Sequence, residues 1–542
     1  MTTSNKIQIR AQVLQSILKF KSAKFPSDIE VEECIKTLNK VNDKKFVTEL
    51  LLKEITATNE IYDSVLTLLL FNISSPKMLL EAIFPLLNKN SVPDVKKLYL
   101  INILREQGQK IDYDFIQSHI KNPDEIIDNE TKKFLDEAKI SPETKIDFFD
   151  FYFTVNPNDR DMLISSIIDD YSGDGLANIL SPFAYFYPNV LIDEKIIQAL
   201  ADSKSYFALE ALNWCSKNCG DKKLAQLAKK SYKKMSLMGF DTNIDKKEVY
   251  AQLLKNSKPL GFWYSSADGN SNISCVFARE KDKGTIQTFF TVFNLQKGPI
   301  STFGFDEVTK KDFEVILLRF FKSSLHAKLS VEEGKLIFDT LSSRGWSGKT
   351  VIPYEFICWR EITYDTNAKE INFHDLLKEN LEKNDKAEKL ITKILNSDLF
   401  SSWYYNCENH QTLSKLVQNI DNYTPDIKQI EQELNATIKE MLADTDYIEK
   451  FKEKIYFQCY ILKKTNMQNS ANILYSATLD TTMLEKLLTH IIKKSVYAHF
   501  LQKTESVNAT ENIFIKKRQI SNDNKNAKEI IKTLEENWSQ WI

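Results

Sequence analysis

Glycine is unevenly distributed along this chain, and its distribution constrains the fold more than any other feature of the sequence. Eight of the thirteen glycines lie between Gly261 and Gly348, and none follows Gly348. Glycine marks turns and bulges and weakens the interior of helices. The sequence therefore predicts a mainly α protein. In it, a small central α+β domain with an antiparallel sheet separates an N-terminal helical array from an all-α C-terminal region.

Proline marks the starts of helices in residues 1–240. Proline directly follows a Ser or an Asn at predicted starts such as Ser75-Pro76, Asn122-Pro123, Ser141-Pro142 and Asn156-Pro157. Proline at the first helical position loses no hydrogen bond, and the preceding side chain can accept one from an otherwise unpaired amide. Apolar residues with helical spacing lie between these starts, as at Val47, Leu51 and Ile55. We expect short antiparallel helices throughout this region.

The end of this region has the pattern of a helical repeat. Residues 192–240 read as three consecutive helices, with Gly220 as a C-terminal stop. The pattern resembles the HEAT and armadillo classes of α-helical repeat proteins, and the resemblance extends over residues 1–240. It implies an α-solenoid-like array, a fold that commonly presents a groove to a protein partner. No exact period is present, so an irregular helical bundle is the alternative.

The central segment has the pattern of a β-meander. Residues 260–264, 273–277 and 285–293 are short runs rich in aromatic and β-branched side chains, and turn-forming residues separate them. Helical spacing then resumes around Phe313 and again after Val331. We expect an antiparallel sheet covered by two helices, within an α+β domain over residues 255–365.

The last third of the chain lacks glycine, which permits long helices. An amphipathic stripe includes Leu484, Leu487, Leu488 and Ile491. The segment after residue 502 is polar. The predicted organisation is an all-helical domain over 370–502, a flexible linker over 503–528 and a terminal helix over 529–542.

Charge and cysteine usage limit the classes of function. The chain has 72 Lys and Arg against 74 Asp and Glu, so no overall field attracts it to nucleic acid or to a membrane. The most apolar run, at residues 65–71, is far shorter than a bilayer requires. Seven irregularly spaced cysteines are typical of a reducing compartment. We predict a cytoplasmic protein without membrane association.

One short motif resembles a nucleotide-binding loop. Gly348-Lys349-Thr350 matches the end of a P-loop, whose amides bind phosphate. Ser343 occupies the place of the first required glycine, and a helical pattern precedes the motif where a strand is needed. We therefore do not predict a nucleotide site.

A second motif resembles the beginning of a calcium loop. Asp268, Asn270 and Asn272 alternate as the first oxygen ligands of such a loop do. Ile273 replaces the loop glycine, and Arg279 stands where a bidentate Glu belongs. A hairpin turn explains the spacing better.

No metal, cofactor or catalytic site is predicted. Cys215 with Cys219, and Cys407 with His410, have metal-like spacing, but each pair is isolated and a structural zinc ion needs four ligands. The six histidines include no His-Glu-x-x-His motif and no recognisable partner nucleophile.

Lysines form the strongest local charge feature. Six of them lie on one broad face of a predicted helix, namely Lys222, Lys223, Lys229, Lys230, Lys233 and Lys234. Such a face can contact nucleic-acid phosphates. The alternative interpretation is a solvated outer face that serves solubility.

Aromatic residues are dense in the central domain, and Trp263, Tyr264 and Arg360 are the candidate binding residues there. Exposed aromatics bind partners or ligands at low entropic cost. If these side chains instead share one buried face, they are core.

These patterns favour a non-enzymatic protein–protein interaction scaffold. Nucleic-acid binding through the six lysines is one alternative. An enzyme with its site at the α+β domain is the other, with Asp268, Arg279, Asp306, Arg344 and Arg360 as its charged residues. A small-molecule ligand is left open.

Overall fold

The structure is a computed structural model that describes most of the chain. The described residues are 3–22, 28–57, 60–185, 192–239, 250–251, 253–281, 284–322, 324–347, 351–422, 426–508 and 517–539.

Helices dominate the described residues on both sides of a central sheet, so the predicted fold class is confirmed. The N-terminal helices are α1 (Thr3–Ser22), α2 (Asp28–Asn39), α3 (Lys44–Ala57), α4 (Glu60–Ile73), α5 (Pro76–Leu87), α6 (Asp94–Glu106), α7 (Tyr113–His119), α8 (Pro123–Ala138), α9 (Pro142–Thr154), α10 (Pro157–Asp170), α11 (Gly173–Leu180), α12 (Glu194–Ser203), α13 (Tyr206–Asn218) and α14 (Lys222–Leu237). The strands are β1 (Ser257–Ser265), β2 (Asn272–Lys281), β3 (Ile286–Asn294), β4 (Gly298–Val308) and β5 (His326–Leu329).

Eleven further helices accompany and follow the sheet in the described part of the chain. They are α15 (Lys310–Phe320), α16 (Val331–Ser347), α17 (Tyr354–Trp359), α18 (Phe373–Lys378), α19 (Ala387–Leu395), α20 (Gln411–Asn422), α21 (Ile427–Ala443), α22 (Thr445–Lys464), α23 (Gln468–Ala477), α24 (Thr481–Asn508) and α25 (Lys517–Trp538). None of the described helices is long and apolar enough to cross a membrane.

The predicted Ser-Pro helix starts are present. Proline is the first residue of α5, and the Ser75 hydroxyl accepts a hydrogen bond from the Met78 amide at 3.3 Å. Ser141 caps α9 in the same way, at 3.0 Å from the Thr144 amide. Asn122 differs, because it adopts a left-handed backbone with a φ of 52° and makes no side-chain capping bond. The capping predicted there is wrong, although α8 begins at the expected residue.

The sheet is an antiparallel meander with one added strand. Its order is β4-β3-β2-β1-β5, so β1, β2 and β3 form the predicted meander and β4 continues it. β5 pairs with β1, and Phe262 lies opposite Leu329. Neither β4 nor β5 was predicted, and the four residues of β5, between two helical patterns, give too little alternation to identify.

Aromatic side chains cover both faces of the sheet. Phe289 and Phe290 are neighbours in β3 and therefore point to opposite faces. The Phe289 ring lies 5.7 Å from that of Phe338 in α16, and the Phe290 ring lies 5.1 Å from that of Phe320 in α15. Gly334 lets α16 approach β1 closely, because a Cβ at residue 334 would lie 2.4 Å from the Cβ of Phe262 in β1.

The chain divides into two compact units that do not follow its linear order. The first contains residues 1–179, 280–287 and 305–318, and the second contains 180–279, 288–304 and 319–542. The segment boundaries predicted from the sequence stay predictions.

Helices α1 to α7 form one apolar core of the first unit. Elsewhere in this unit, Asp306 lies at the start of α9, where its carboxylate accepts hydrogen bonds from the Ser141 hydroxyl and the Glu143 amide. The Glu143 carboxylate in turn accepts one from the Asp306 amide at 2.8 Å. Burial raises the pKa of Glu143, and the nearby Asp306 charge adds to the shift.

The second unit contains a C-terminal helical core that includes the last helix. Ala527, Ile530, Leu534 and Trp538 are buried at helical spacing along α25. The indole of Trp538 donates a hydrogen bond to Glu431 at 2.6 Å. Parts of the predicted linker over 503–528 are helical, because α24 ends at Asn508 and α25 begins at Lys517. Residues 509–516 lie outside the described residues.

A buried ion pair connects β2 to the segment after α17. The Arg279 side chain is fully buried and donates to both carboxylate oxygens of Asp365, at 2.6 and 2.7 Å. It also donates to the Ile362 carbonyl at 3.0 Å and to the hydroxyl and carbonyl of Ser257, at 2.9 and 3.1 Å. The guanidinium is thus fully hydrogen-bonded within the protein.

We expect Asp365→Ala to lower the free energy of unfolding by about 3–5 kcal/mol, because it leaves a buried guanidinium without its counter-charge. Glu449→Ala is the control, since the exposed Glu449 pairs with the half-buried Lys452 three residues away, a contact worth about 1 kcal/mol or less. Urea unfolding of both variants measures the difference, and equal midpoints would contradict the prediction.

Candidate functional site

A pocket of about 410 Å³ lies within the second unit. Some of the residues in each of four segments line it: 270–272 at the β1–β2 turn, 294–300 at the β3–β4 turn, 405–410, and 447–454 of α22. Two tight turns of the sheet therefore form one wall, and α22 forms the other together with residues 405–410.

Asp268 shapes the first turn. Its carboxylate accepts hydrogen bonds from the Asn272 backbone amide at 2.7 Å and from the Asn272 side chain at 3.0 Å. Ser271, between them, has a positive φ of 66°. Two of the residues that resembled a calcium loop, Asp268 and Asn272, thus bind each other in a hairpin turn, as predicted. The described residues contain no group of three or more His, Cys, Asp or Glu that could hold a metal ion.

Asn294 joins the second turn to the first. Its side-chain nitrogen donates to the Asn270 carbonyl at 2.8 Å and to the Asn272 side chain at 3.1 Å. Its side-chain oxygen accepts from the backbone amides of Gln296 and Lys297, at 3.0 and 3.2 Å. One amide therefore fixes the relative position of both turns on this wall of the pocket.

Gly269 holds the first turn against residues 402–404 and α22. A Cβ at this position would lie 1.9 Å from the Tyr404 carbonyl oxygen, so only glycine fits. The Gly269 amide donates to the Ser402 carbonyl at 2.9 Å. Its carbonyl accepts a hydrogen bond from the Lys454 ammonium, also at 2.9 Å.

Lys454 is buried at the pocket wall among aromatic rings. Its nitrogen lies 4.8 Å from the ring centres of Trp403 and Tyr405 and 5.3 Å from that of Phe451. Burial lowers the pKa of Lys454 from 10.5 to about 7, and the charge of Asp268 opposes part of this shift. Near neutral pH, this amine therefore exchanges readily between its charged and neutral forms.

His410 lies beside this lysine in the lining of the pocket. Its Nδ1 atom is buried and has no hydrogen-bond partner among the described residues. Burial lowers the pKa of His410, and the positive charge of Lys454 lowers it further. The His410 ring lies 5.3 Å from that of Tyr405, whose hydroxyl lies 2.7 Å from the Tyr447 hydroxyl.

The charge of the lining has one sign. Its described residues include Lys297, Lys450, Lys454 and His410 and no Asp or Glu. Lys450 pairs with Asp446 at 2.5 Å, outside the lining, and both side chains are exposed. The remaining lining is mostly amide and aromatic. Such a surface can hold an anionic group, donate and accept hydrogen bonds, and contact a flat apolar surface.

The six lysines predicted as a binding face lie elsewhere, on α14, and all six are exposed. Trp263 and Tyr264 lie in β1, where both are buried. The Tyr264 hydroxyl donates to the Gly334 carbonyl at 2.9 Å, and the ammonium of Lys328 lies 4.8 Å from the Trp263 ring. These two aromatics belong to the sheet and do not line the pocket.

Arg360 is also buried, inside an aromatic cluster. Its guanidinium lies 4.7 Å from the Tyr185 ring, 4.6 Å from the Trp346 ring and 5.6 Å from the Tyr364 ring. The structure thus does not bring together the lysines, the β1 aromatics and Arg360.

The charged residues of the enzymatic alternative have separate structural partners. The pairs are Asp268 with Asn272, Arg279 with Asp365, Arg344 with Glu453, and Asp306 with Gln287. The P-loop-like residues Gly348, Lys349 and Thr350 lie outside the described residues.

Sequence reasoning named Asn270, Asn272 and His410 for other reasons and missed Lys454 as a site residue. A signal for it exists in α22. Lys454 and Gln458 lie on the same helical stripe as the buried apolar residues Phe451, Ile455 and Leu462. A lysine at a core-facing position of an amphipathic helix is unusual, and it is a reason to suspect a functional or paired group.

Comparison with protein-family models, curated proteins and solved structures finds no significant match to this chain. The interpretation of the pocket therefore depends on its own geometry.

The free energy of unfolding is expected to rise with pH between about pH 7 and about pH 9 because of Lys454. The unfolded chain keeps this proton up to pH 10.5 and the folded chain only up to about 7, so the unfolded state binds more protons in this window. One proton contributes at most about 1.4 kcal/mol per pH unit.

Urea unfolding at several pH values measures this slope. Lys454→Met removes the proton and should flatten the curve, whereas Lys450→Met, at an exposed position, should leave it unchanged. Equal slopes in the wild type and in Lys454→Met would refute the assignment.

Proposed function

We propose that this protein binds a small anionic organic molecule in the pocket of the second unit. The observation that carries the proposal is the lining, in which three lysines and a histidine face a cavity of about 410 Å³ without any Asp or Glu. Ligand sites are typically concave, with a few placed polar groups on a partly apolar surface, and this pocket has both features.

Charge supports an anion as the ligand. The buried Lys454 has no carboxylate partner in the lining, and the cost of desolvating its ammonium lowers its pKa. A bound anion would supply the missing counter-charge and favour the protonated amine. Binding of an anion and protonation of Lys454 are therefore coupled.

The other lining groups support an organic ligand over a bare ion. Gln296, Asn406 and Asn409 carry amides that can both donate and accept hydrogen bonds, as hydroxyl groups or bases of a ligand require. Phe451 and Tyr447 supply aromatic surface to the same lining. Phosphorylated sugars and nucleotides combine the same three properties of charge, polar edges and a flat or apolar face.

Phosphorylated compounds are expected to stabilise the protein against thermal unfolding, and their neutral parents are not. The probes are adenosine 5′-monophosphate against adenosine, glucose 6-phosphate against glucose, and inorganic pyrophosphate. A ligand at one hundred times its dissociation constant stabilises the folded state by about 2.7 kcal/mol. Calorimetric titration then gives the affinity.

Lys297→Glu with Lys450→Glu should weaken this binding by about tenfold or more, because both changes place negative charge at the pocket. Lys439→Glu, at an exposed position outside the lining, is the control. Affinity should also fall as pH rises above about 7, and Lys454→Gln should remove this dependence. Failure of every phosphorylated probe to bind, or equal binding of the neutral parents, would overturn the proposal.

An interaction scaffold with a HEAT- or armadillo-like array is the second candidate. Exposed apolar side chains on α9 and α10 support it, including Phe151 and Met162, which are 50% and 72% exposed. Recovery of the chain only as a free monomer from cell extracts would argue against it. A cytoplasmic location is part of both candidates, and the seven free cysteines support it.

A further inference from the structure

Helix α14 carries two parallel rows of exposed lysines. With about 100° between successive residues, Lys222, Lys229 and Lys233 share one row, and Lys223, Lys230 and Lys234 share the next. The two rows cover about 140° of the helix surface. All six side chains are exposed. We call these six residues the lysine face.

The lysine face is held on a fixed support. The opposite side of α14 contains the buried residues Ala228 and Met235, and the helix packs against α12 and α13. Asp221 caps its first turn, since its carboxylate accepts hydrogen bonds from the amides of Lys223 and Leu224 at 2.7 and 3.2 Å. The lysines are therefore presented together by a helix that is anchored on its other side.

No acidic residue balances this charge within the helix. Residues 222–238 contain no Asp or Glu. None of the six lysines forms an ion pair with another described residue. The chain as a whole has a net charge of only −2, so the positive potential is local to this surface.

The arrangement has a cost to the helix itself. Lys229 with Lys233, and Lys230 with Lys234, are like charges four residues apart, and each such pair destabilises a helix by about 0.2–0.5 kcal/mol. Lys222 and Lys223 lie at the positive end of the helix dipole, where acidic residues are favoured. A surface that served only solubility would avoid these positions or alternate the sign of its charges.

The exposed and buried sides of α14 indicate which kind of polyanion the lysine face can bind. The apolar side of α14 is packed inside the unit, so the helix cannot insert that side into a lipid interface. The lysine face contains no arginine, so it offers point charges and lacks the planar fork that favours bidentate, orientation-specific contacts. Lysines four residues apart are about 6 Å apart along the axis, a spacing that lets neighbouring lysines reach successive phosphates of one strand.

We propose that the lysine face binds the phosphodiester backbone of nucleic acid without sequence preference. This surface is independent of the proposed ligand pocket, and either can exist without the other.

The test measures binding of the full chain to a fluorescent oligonucleotide by anisotropy over a series of salt concentrations. Changing Lys229, Lys230, Lys233 and Lys234 together to Gln should lower the affinity at low salt by about tenfold or more. Each phosphate contact contributes about 0.9 to the slope of log affinity against log salt for duplex DNA, so the slope should shrink by about 3 to 4.

Two further variants control for charge and folding. Lys383, Lys386, Lys389 and Lys393 are exposed lysines around α19, where acidic residues are interspersed, and changing all four to Gln alters the net charge equally. This variant should bind like the wild type. Replacing the four α14 lysines with Arg keeps the charge and should also retain binding, and circular dichroism checks that each variant is folded.

Three outcomes would overturn the proposal. The first is that the wild type does not bind the oligonucleotide at low salt. The second is that the α14 Gln variant and the α19 Gln variant lose affinity equally. The third is that the wild type binds vesicles containing phosphatidylserine and not the oligonucleotide, which would assign the surface to a membrane.

Discussion

The contact between the β1–β2 turn and helix α22 is the constraint on which the second unit depends. Gly269 lies so close to the Tyr404 carbonyl that no side chain fits, and its own carbonyl binds the buried ammonium of Lys454. The indole of Trp403 donates to the Ala267 carbonyl at 2.8 Å in the same region. Without this approach, the turns of the sheet and the C-terminal helices would not enclose a common pocket.

Burial of Lys454 removes water from its amine, which disfavours the charged form and favours binding of an anion beside it. Desolvation disfavours the ammonium, and aromatic rings at 4.8 Å from two sides compensate only part of its lost hydration. Structural ion pairs in the same unit are arranged differently. Arg279 has its own carboxylate in Asp365, which leaves its charge satisfied. In the proposed function, a bound anion supplies the counter-charge for Lys454.

Two positively charged surfaces therefore occur in a chain that is nearly neutral overall. The pocket combines cations with amides and aromatics in a concave space, which suits a small organic anion. The lysine face is convex, exposed and without aromatics in its two rows, which suits a long polyanion. The two proposals invoke the same electrostatic attraction, and they assign to each surface a partner of the size that its shape admits.

The sequence alone determined the order of the structural classes, because glycine placement, Ser-Pro starts and residue periodicity act locally. It also determined the lysine face, since helical spacing fixes which side chains share a surface. The sequence did not reveal β4 or β5, and the pairing of β5 with β1 is non-local. It left open whether Trp263, Tyr264 and Arg360 are buried. The pocket was decided only by tertiary structure. Asn270, Asn294, His410 and Lys454 come from separate parts of the chain, and only folding places them on one cavity.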